Sequence, residues 1–326
     1  MKAVVCETFG PPETLVLRDV PSPAPEPGHV VVSVRAASLN FPDVLIIADK
    51  YQVKPGLPFV PGGEMAGVVK AVGPGVTRFR AGDRVMGVVL YGAFAQECIA
   101  AADRLMAMPP GMDFAVASGF TMTYATAYHA LRQRIVTKPG ETLLVLGAAG
   151  GVGLAAIEIG RALGLNVIAC ASGPEKLELC RVHGANEGID YAHEDLRARV
   201  KALTAGAGVD IVFDPVGGTH AEPALRASRW RARYLVIGFA SGEIPRIPLN
   251  LPLLTERDIV GVHWGAWAAR APSEQVAAME QLFAWHAHGK LRPRVAATYS
   301  LEHTAAALRA MMDRKALGKI VIEVAP

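Results

Sequence analysis

The chain is poor in cysteine and carries almost no excess of charge. Its four cysteines, Cys6, Cys98, Cys170 and Cys180, are far apart and form no CxxC pair. This spacing argues against a disulfide framework and fits a reducing compartment. The formal net charge is only +3 over 326 residues, which gives no basis for a nucleic-acid partner.

Long hydrophobic runs are also absent. No segment approaches the roughly 18 apolar residues of a membrane span. The start of the chain, Met1–Cys6, is typical of a short strand rather than of a signal peptide. We therefore expect a cytoplasmic protein with no membrane association. The 33 glycines and the hydrophobic fraction of 51% are typical of a soluble α/β enzyme, and the length predicts two domains.

The pattern of apolar runs changes about a third of the way along the chain. Short valine-rich runs broken by proline and glycine predict an all-β region over the first hundred residues. From about Asp113, strands alternate with helices, which predicts a doubly wound parallel sheet. The predicted strands are Thr142–Gly147, Asn166–Ala171, Asp210–Phe213, Arg233–Gly238 and Asp258–Val262, and the predicted helices are Val152–Leu163, Pro174–His183, Glu194–Leu203 and His220–Ser228.

The tail of the chain forms a third region. The helices Ser273–His288 and Leu301–Asp313 and the strand Lys319–Val324 are predicted there. We expect this tail to pack back on the N-terminal β region.

The strongest chemical signal is a glycine-rich turn between a strand and a helix. The apolar run Leu143–Leu146 leads into Gly147, and the following glycines open an alanine-rich helix. Interpreted as GxGxxG, the pattern has Ala148 at its first position, then Gly150 and Gly153. A tight turn of this kind lets the backbone approach a pyrophosphate, and the helix N-terminus offers it free N–H groups. The segment therefore predicts a dinucleotide site, with Gly150, Gly151, Val152 and Gly153 at the phosphates.

The end of the second strand favours NADPH over NADH. NAD sites usually place a carboxylate there to bind the ribose 2′-OH. Here the strand ends at Ser172, and Lys176 follows in the first turn of the next helix. A hydroxyl and a cation suit a 2′-phosphate, which a carboxylate would repel. Glu175 is an alternative candidate for the acid that binds the ribose, but it lies beyond the strand end, in the first helical turn, where acids are favoured anyway.

Several further segments resemble the medium-chain dehydrogenase/reductase superfamily, and most of all its zinc-free quinone oxidoreductase branch. The resemblance covers essentially the whole chain. Its most specific matches are Ser38–Asp43, Tyr51-Gln52, Leu57–Glu64, Ala125–Tyr128, Lys138–Glu141, Asp214–Gly218, Gly238–Gly242 and Gly318–Val321.

The resemblance implies a GroES-like β domain, residues 1–125 and 267–326, and a Rossmann domain, residues 126–266. It places the active site in the cleft between them and implies a homodimer formed through the edge of the Rossmann sheet. On the cofactor side it assigns Thr126 to the nicotinamide amide, and Phe239 and Ala240 to the nicotinamide ribose. It also adds Tyr191 to Ser172 and Lys176 around the 2′-phosphate.

Neither zinc site of the metal-dependent relatives is expected. The family's Gly-His-Glu stands here as Gly62-Gly63-Glu64, so the histidine ligand is missing. The two cysteine ligands fall near Asn40 and near Thr121–Thr123, and the four-cysteine structural loop retains only Cys98. Zinc needs three protein ligands in a catalytic site and four in a structural one. We therefore expect no metal.

Without a Lewis acid, the natural hydride acceptors are already electron-poor, and quinones and α,β-unsaturated carbonyls fit this description. The resemblance implies that Asn40 and Tyr51 face the substrate, with Asn40 binding a substrate oxygen and Tyr51 closing the pocket or donating a proton. Asp43 is a third candidate in the polar lining, although aspartate often only caps a helix. An enoyl-thioester reductase and a non-catalytic cofactor-binding protein with a structural or nucleic-acid role remain alternatives.

Overall fold

The computed structural model describes residues 1–314 and 316–325, which form two compact units. The first unit contains residues 1–122 and 293–326, and the second contains residues 123–292. The chain thus leaves the first unit once and returns to it once. In the part of the chain that the structure describes, no helix is both long and apolar enough to cross a membrane.

The N-terminal part of the first unit is mainly β-structure. Its strands are β1 (Lys2–Val5), β2 (Val16–Asp19), β3 (His29–Ser38), β4 (Glu64–Val72), β5 (Arg84–Val88), β6 (Glu97–Ala101) and β7 (Leu105–Ala107), and its helices are α1 (Phe41–Ile47) and α2 (Phe114–Ser118). Helix α3 (Phe120–Tyr128) carries the chain into the second unit.

Strands and helices alternate through the second unit. Its strands are β8 (Thr142–Val145), β9 (Asn166–Ala171), β10 (Glu187–Asp190), β11 (Val209–Asp214), β12 (Ser228–Val236) and β13 (Asp258–Gly261). Its helices are α4 (Gly151–Ala162), α5 (Pro174–Val182), α6 (Leu196–Leu203), α7 (Ala221–Ala227), α8 (Asn250–Leu253), α9 (Trp264–Arg270) and α10 (Pro272–Ala287). The return to the first unit adds β14 (Val295–Ser300), α11 (Thr304–Met312) and β15 (Lys319–Glu323).

Each unit is built on one large sheet. The second unit has a parallel six-stranded sheet in the order β10-β9-β8-β11-β12-β13. The strand order reverses direction between β8 and β11, the point where α/β sheets of this kind bind ligands. The first unit has a seven-stranded sheet in the order β14-β15-β3-β4-β5-β7, with β6 paired to β3, and a separate β1-β2 pair.

The predicted α/β class, with a GroES-like β domain and a Rossmann domain, agrees with this architecture. Three elements of the sheet unit were not predicted from the sequence, namely β10, α8 and α9. The unit boundaries also differ from the expected ones. The first lies at 122/123, close to 125/126, but the second lies at 292/293 instead of 266/267, because α10 packs within the second unit.

Candidate active site

The glycine turn leaves the carboxyl end of β8 at the switch point of the parallel sheet. Gly147 has a φ of +57°, a conformation that favours glycine. Backbone bonds from Leu146 to Phe213 and from Ala148 to Cys170 hold the turn between the neighbouring strands. Helix α4 then starts at Gly151, with Gly150 as its N-cap. The N-terminal N–H groups of α4 are therefore presented where a pyrophosphate is expected.

Gly153 packs against the turn that precedes it. A Cβ atom at this position would lie 2.5 Å from the carbonyl oxygen of Gly147 and 2.6 Å from that of Ala148. These are backbone atoms, which cannot rotate away as the end of a side chain can. The close approach of helix to turn thus requires glycine here.

The predicted 2′-phosphate residues lie together at the carboxyl ends of β9 and β10. Lys176 Nζ donates to Ser172 Oγ at 3.0 Å. Tyr191 directly follows Asp190, which pairs with Ala171 in the parallel register, so Tyr191 and Ser172 are next to each other along adjacent strands. Glu175 is exposed in the first turn of α5. The strand end therefore offers a hydroxyl and a cation, while the Asp190 carboxylate at the end of β10 is already bonded to the backbone of Gly173 and Ala192 and to His193.

On the other side of the switch point, two loops approach each other. Gly217 lies after β11, and its backbone is so close to the Phe239 ring that a Cβ would lie 2.8 Å from Cδ1. Asp214 fixes this loop, because its Oδ1 accepts from the N–H groups of Val216 and Gly217 at 2.7 and 2.8 Å. Phe239 is half-buried and the adjacent Ala240 is exposed. Both stand beyond the carboxyl end of β12, as predicted for nicotinamide ribose contacts.

Thr126 is the last predicted cofactor residue. It lies half-buried in α3, within the second unit. The structure thus positions Thr126, the turn residues, Ser172, Lys176, Tyr191, Phe239 and Ala240 in one unit. Their roles stay predictions.

In the first unit, Asn40 and Asp43 belong to a buried polar cluster at the start of α1. Asp43 Oδ2 accepts from the Asn40 N–H at 2.7 Å, so Asp43 caps the helix. The Asn40 amide donates to Glu64 Oε2 at 3.0 Å and accepts from Lys319 Nζ at 2.7 Å. Both the NH₂ group and the oxygen of the Asn40 amide, which was predicted to bind a substrate oxygen, therefore have partners within the protein.

Glu64 and Lys319 form the centre of this cluster. Lys319 Nζ lies 3.4 Å from Glu64 Oε2 and also donates to the Leu39 carbonyl at 2.8 Å. The same carboxylate accepts from Ser38 Oγ and from the Met122 N–H, both at 2.8 Å. The Glu64 side chain is fully buried. An ammonium group on the C-terminal strand thus compensates a carboxylate from β4.

Burial and charge shift the pKa values in this cluster. Burial raises the pKa of Asp43 to about 7, and the nearby Glu64 carboxylate adds to the rise, while the Asn40 N–H and Lys319 oppose it. Burial lowers the pKa of Lys319, which the carboxylates of Glu64 and Asp43 counteract. Tyr51 packs half-buried against the same core, and burial together with the Asp43 charge raises its pKa. The Tyr51 hydroxyl therefore stays protonated at neutral pH.

The chain matches known family models over most of its length. Residues 26–138 match the alcohol dehydrogenase GroES-like domain, and residues 151–285 match the zinc-binding dehydrogenase domain. The first match falls mainly on the β-rich unit and the second on the parallel sheet. A dinucleotide-binding oxidoreductase is the class that these domains define.

Full-length relatives refine this class. The chain is 37% identical to a quinone oxidoreductase-like protein 2 homolog of Nematostella vectensis, covering 98% of this chain and 88% of that one. It is 36% identical to a quinone oxidoreductase of Pseudomonas aeruginosa, covering 98% and 99%. The solved structure of Escherichia coli quinone oxidoreductase complexed with NADPH superposes with a TM-score of 0.93 at 28% identity, covering 99% and 100%. The chain belongs to the medium-chain dehydrogenase/reductase superfamily, in its quinone oxidoreductase-like branch.

The family model's description names zinc, and the residues at the expected ligand positions do not fit it. Those positions hold an amide in Asn40, no side chain in Gly63, and hydroxyls in Thr121 and Thr123. The carboxylate of Glu64, which follows Gly63 in the chain, is already bonded to Ser38, Asn40, Met122 and Lys319. Among the described residues, no group of three or more His, Cys, Asp or Glu side chains is placed to hold a metal.

Proposed function

We propose that this protein is an NADPH-dependent reductase that transfers hydride to a quinone or an α,β-unsaturated carbonyl without zinc. The observation that carries the proposal is the pairing of Ser172 with Lys176 beside the glycine turn. When bound, NADPH supplies the hydride. The chain's own residues bind its phosphates, and Tyr51 is the candidate proton donor on the substrate side.

The cofactor preference depends on Lys176. Replacing Lys176 with alanine is expected to raise the Michaelis constant for NADPH about 10- to 100-fold, because a charge-assisted bond to phosphate contributes roughly 1.5–3 kcal/mol. The constant for NADH is expected to change less than about twofold. The control is Lys201→Ala, at an exposed lysine of α6. Equal effects of Lys176→Ala on both cofactors would remove Lys176 from the phosphate site.

Zinc independence is supported by the chemistry of the ligand positions. Zinc prefers thiolate, imidazole and carboxylate ligands. An amide, a glycine and two hydroxyls do not replace them, and the nearby carboxylate is paired with an internal ammonium. Prolonged dialysis against a chelator is expected to leave the turnover rate unchanged. A stoichiometric zinc content with activity lost on its removal would contradict this part of the proposal.

The acceptor class is tested by NADPH oxidation with 1,4-quinones, enones and crotonyl-type thioesters, each assayed separately. We expect the quinones or enones to be turned over with the higher kcat/KM. Preferred turnover of the thioesters would instead assign an enoyl-thioester reductase. If NADPH binds and no acceptor is reduced, the protein is a cofactor-binding protein without this activity.

We also propose a homodimer formed through the exposed edge of the parallel sheet. Strand β13 is an edge strand of the sheet. Large apolar side chains near it in the chain are exposed, including Leu253, whose exposed fraction is 76%, and Leu254, whose exposed fraction is 68%. Apolar surface of this kind is typical of an interface. The double change Leu253→Asp and Leu254→Asp is expected to halve the mass measured by light scattering. The control, Val136→Asp at another exposed position, should leave it unchanged. A monomeric wild type would contradict the proposal.

A further inference from the structure

Helix α4 carries a buried carboxylate, Glu158, that is not among the candidate site residues. Glu158 is only 1% exposed, and its neighbours Ile157 and Ile159 are fully buried. Removing a carboxylate from water is costly unless hydrogen bonds compensate it. A carboxylate at this depth therefore calls for partners, and the structure provides them from three separate segments.

Those partners all lie in the second unit. Glu158 Oε2 accepts from Tyr124 Oη at 2.8 Å and from the Arg292 backbone N–H at 2.9 Å. Glu158 Oε1 accepts from His183 Nδ1 at 2.6 Å. Tyr124 and His183 are themselves buried, and burial beside Glu158 raises the pKa of Tyr124, so its hydroxyl remains a donor. One side chain thus ties α4 to α3, to the end of α5, and to the segment after α10.

All three connected helices carry candidate cofactor residues, but Lys176 on α5 belongs to the 2′-phosphate group, at the end of NADPH away from the nicotinamide. Helix α4 begins at the pyrophosphate turn, and Glu158 lies about two helical turns from that end, roughly 10 Å at 1.5 Å per residue. Helix α3 carries Thr126, two residues beyond Tyr124. Side chains two residues apart on a helix point in different directions. Tyr124 can therefore be anchored on α4 while Thr126 is presented elsewhere.

Stability alone does not account for such a network. Replacing a buried ionic group by apolar side chains of similar volume is often neutral or stabilising. The best-attested benefit of a buried ionic group is that it fixes how the neighbouring elements are arranged. The arrangement fixed here is that between the helix of the pyrophosphate turn and the helix of Thr126. We propose that Glu158 is a positioning residue which, through Tyr124, holds Thr126 at the spacing from the pyrophosphate turn that orients the nicotinamide for hydride transfer. This proposal rests on the proposed function.

The test compares two variants that each remove one donor from the same carboxylate. Tyr124→Phe removes the donor on α3, and His183→Phe removes the donor at the end of α5. Both are expected to lower the urea midpoint of unfolding by similar amounts. The dissociation constant for NADPH should rise less than about threefold in both, since the phosphate contacts are untouched. In a single turnover with a reducible acceptor, Tyr124→Phe should slow hydride transfer at least about tenfold, because small misplacements are costly. His183→Phe should stay within about twofold of wild type.

A second readout does not need an acceptor. The emission of bound NADPH reports the surroundings of the nicotinamide, and it should shift in Tyr124→Phe but not in His183→Phe. Glu158→Gln, which preserves shape but weakens all three bonds, should shift it too and replaces Tyr124→Phe if that variant is poorly folded. An unchanged emission and an unchanged hydride-transfer rate would show a purely structural network and overturn the proposal. If wild type reduces no acceptor, the proposed function fails, and the emission comparison still decides the positioning role.

Discussion

Replacing Gly153 with valine is expected to weaken NADPH binding by about 100-fold or more. A Cβ at this position would lie 2.5 Å from the Gly147 carbonyl oxygen and 2.6 Å from that of Ala148. Because both obstacles are backbone, the helix can accept valine only by moving away from the turn. That movement displaces the N–H groups that bind the pyrophosphate. A loss of roughly 3 kcal/mol corresponds to the expected change in affinity, and titration of NADPH fluorescence measures it.

A matched variant distinguishes the effect of valine on the glycine turn from the general cost of placing valine in a helix. Gly265 also lies in a helix, α9, and no atom lies within 4 Å of a Cβ built there. Gly265→Val is expected to bind NADPH within about threefold of wild type, and circular dichroism should show both variants folded. Tight NADPH binding by Gly153→Val would exclude the turn as the pyrophosphate site.

Replacing Lys319 with methionine is expected to lower the free energy of unfolding by about 3–5 kcal/mol, the usual cost of breaking a buried ion pair from one side. Methionine retains the apolar stem but leaves Glu64 without its cation. The carboxylate keeps its bonds from Ser38, Asn40 and Met122, and these do not supply a positive charge. Urea unfolding measures the change as a lower midpoint with an unchanged slope.

Lys70 provides the control for this substitution. Its ammonium lies 2.6 Å from Glu97 Oε1, a shorter distance than in the Lys319 pair, but the Lys70 side chain is 50% exposed. Lys70→Met is expected to cost less than about 1 kcal/mol, because water screens exposed pairs. Similar losses in both variants would mean that Lys319 compensates no buried charge on Glu64.

The cofactor half of the site was predictable because its signals are local. A strand, a glycine cluster and a helix follow each other directly along the chain, and Lys176 lies four residues from Ser172, so one helical turn brings them together. The α/β class followed from the alternation of strand and helix patterns, whereas the GroES-like domain followed from the family resemblance. Strand β10 escaped prediction because its four residues, Glu187–Asp190, contain a single apolar side chain among polar ones and glycine.

The buried polar networks were not predictable from local patterns. Lys319 and Glu64 are 255 positions apart, and neither carries a signal that it is buried. Glu158 has the appearance of an ordinary helical acid until its partners Tyr124 and Arg292, 34 and 134 positions away, are known. The traces of the Lys319 cluster in the sequence were the matches at Ser38–Asp43, Leu57–Glu64 and Gly318–Val321, which indicated a family resemblance but no contact.

The pairing of β15 with β3 has a consequence for how the chain folds during synthesis. Val321 pairs with Ser38, and β15 lies between β14 and β3 inside the seven-stranded sheet. On the ribosome, β3 can pair early with β4 and, over residues 29–33, with β6, but its end at Ala36–Ser38 has no partner on that side until β15 is made near the end of the chain. A nascent first unit therefore has an unpaired strand edge, which is prone to aggregation. The parallel sheet of the second unit is complete before the last strand is made, so the N-terminal unit should be the last to reach its native form.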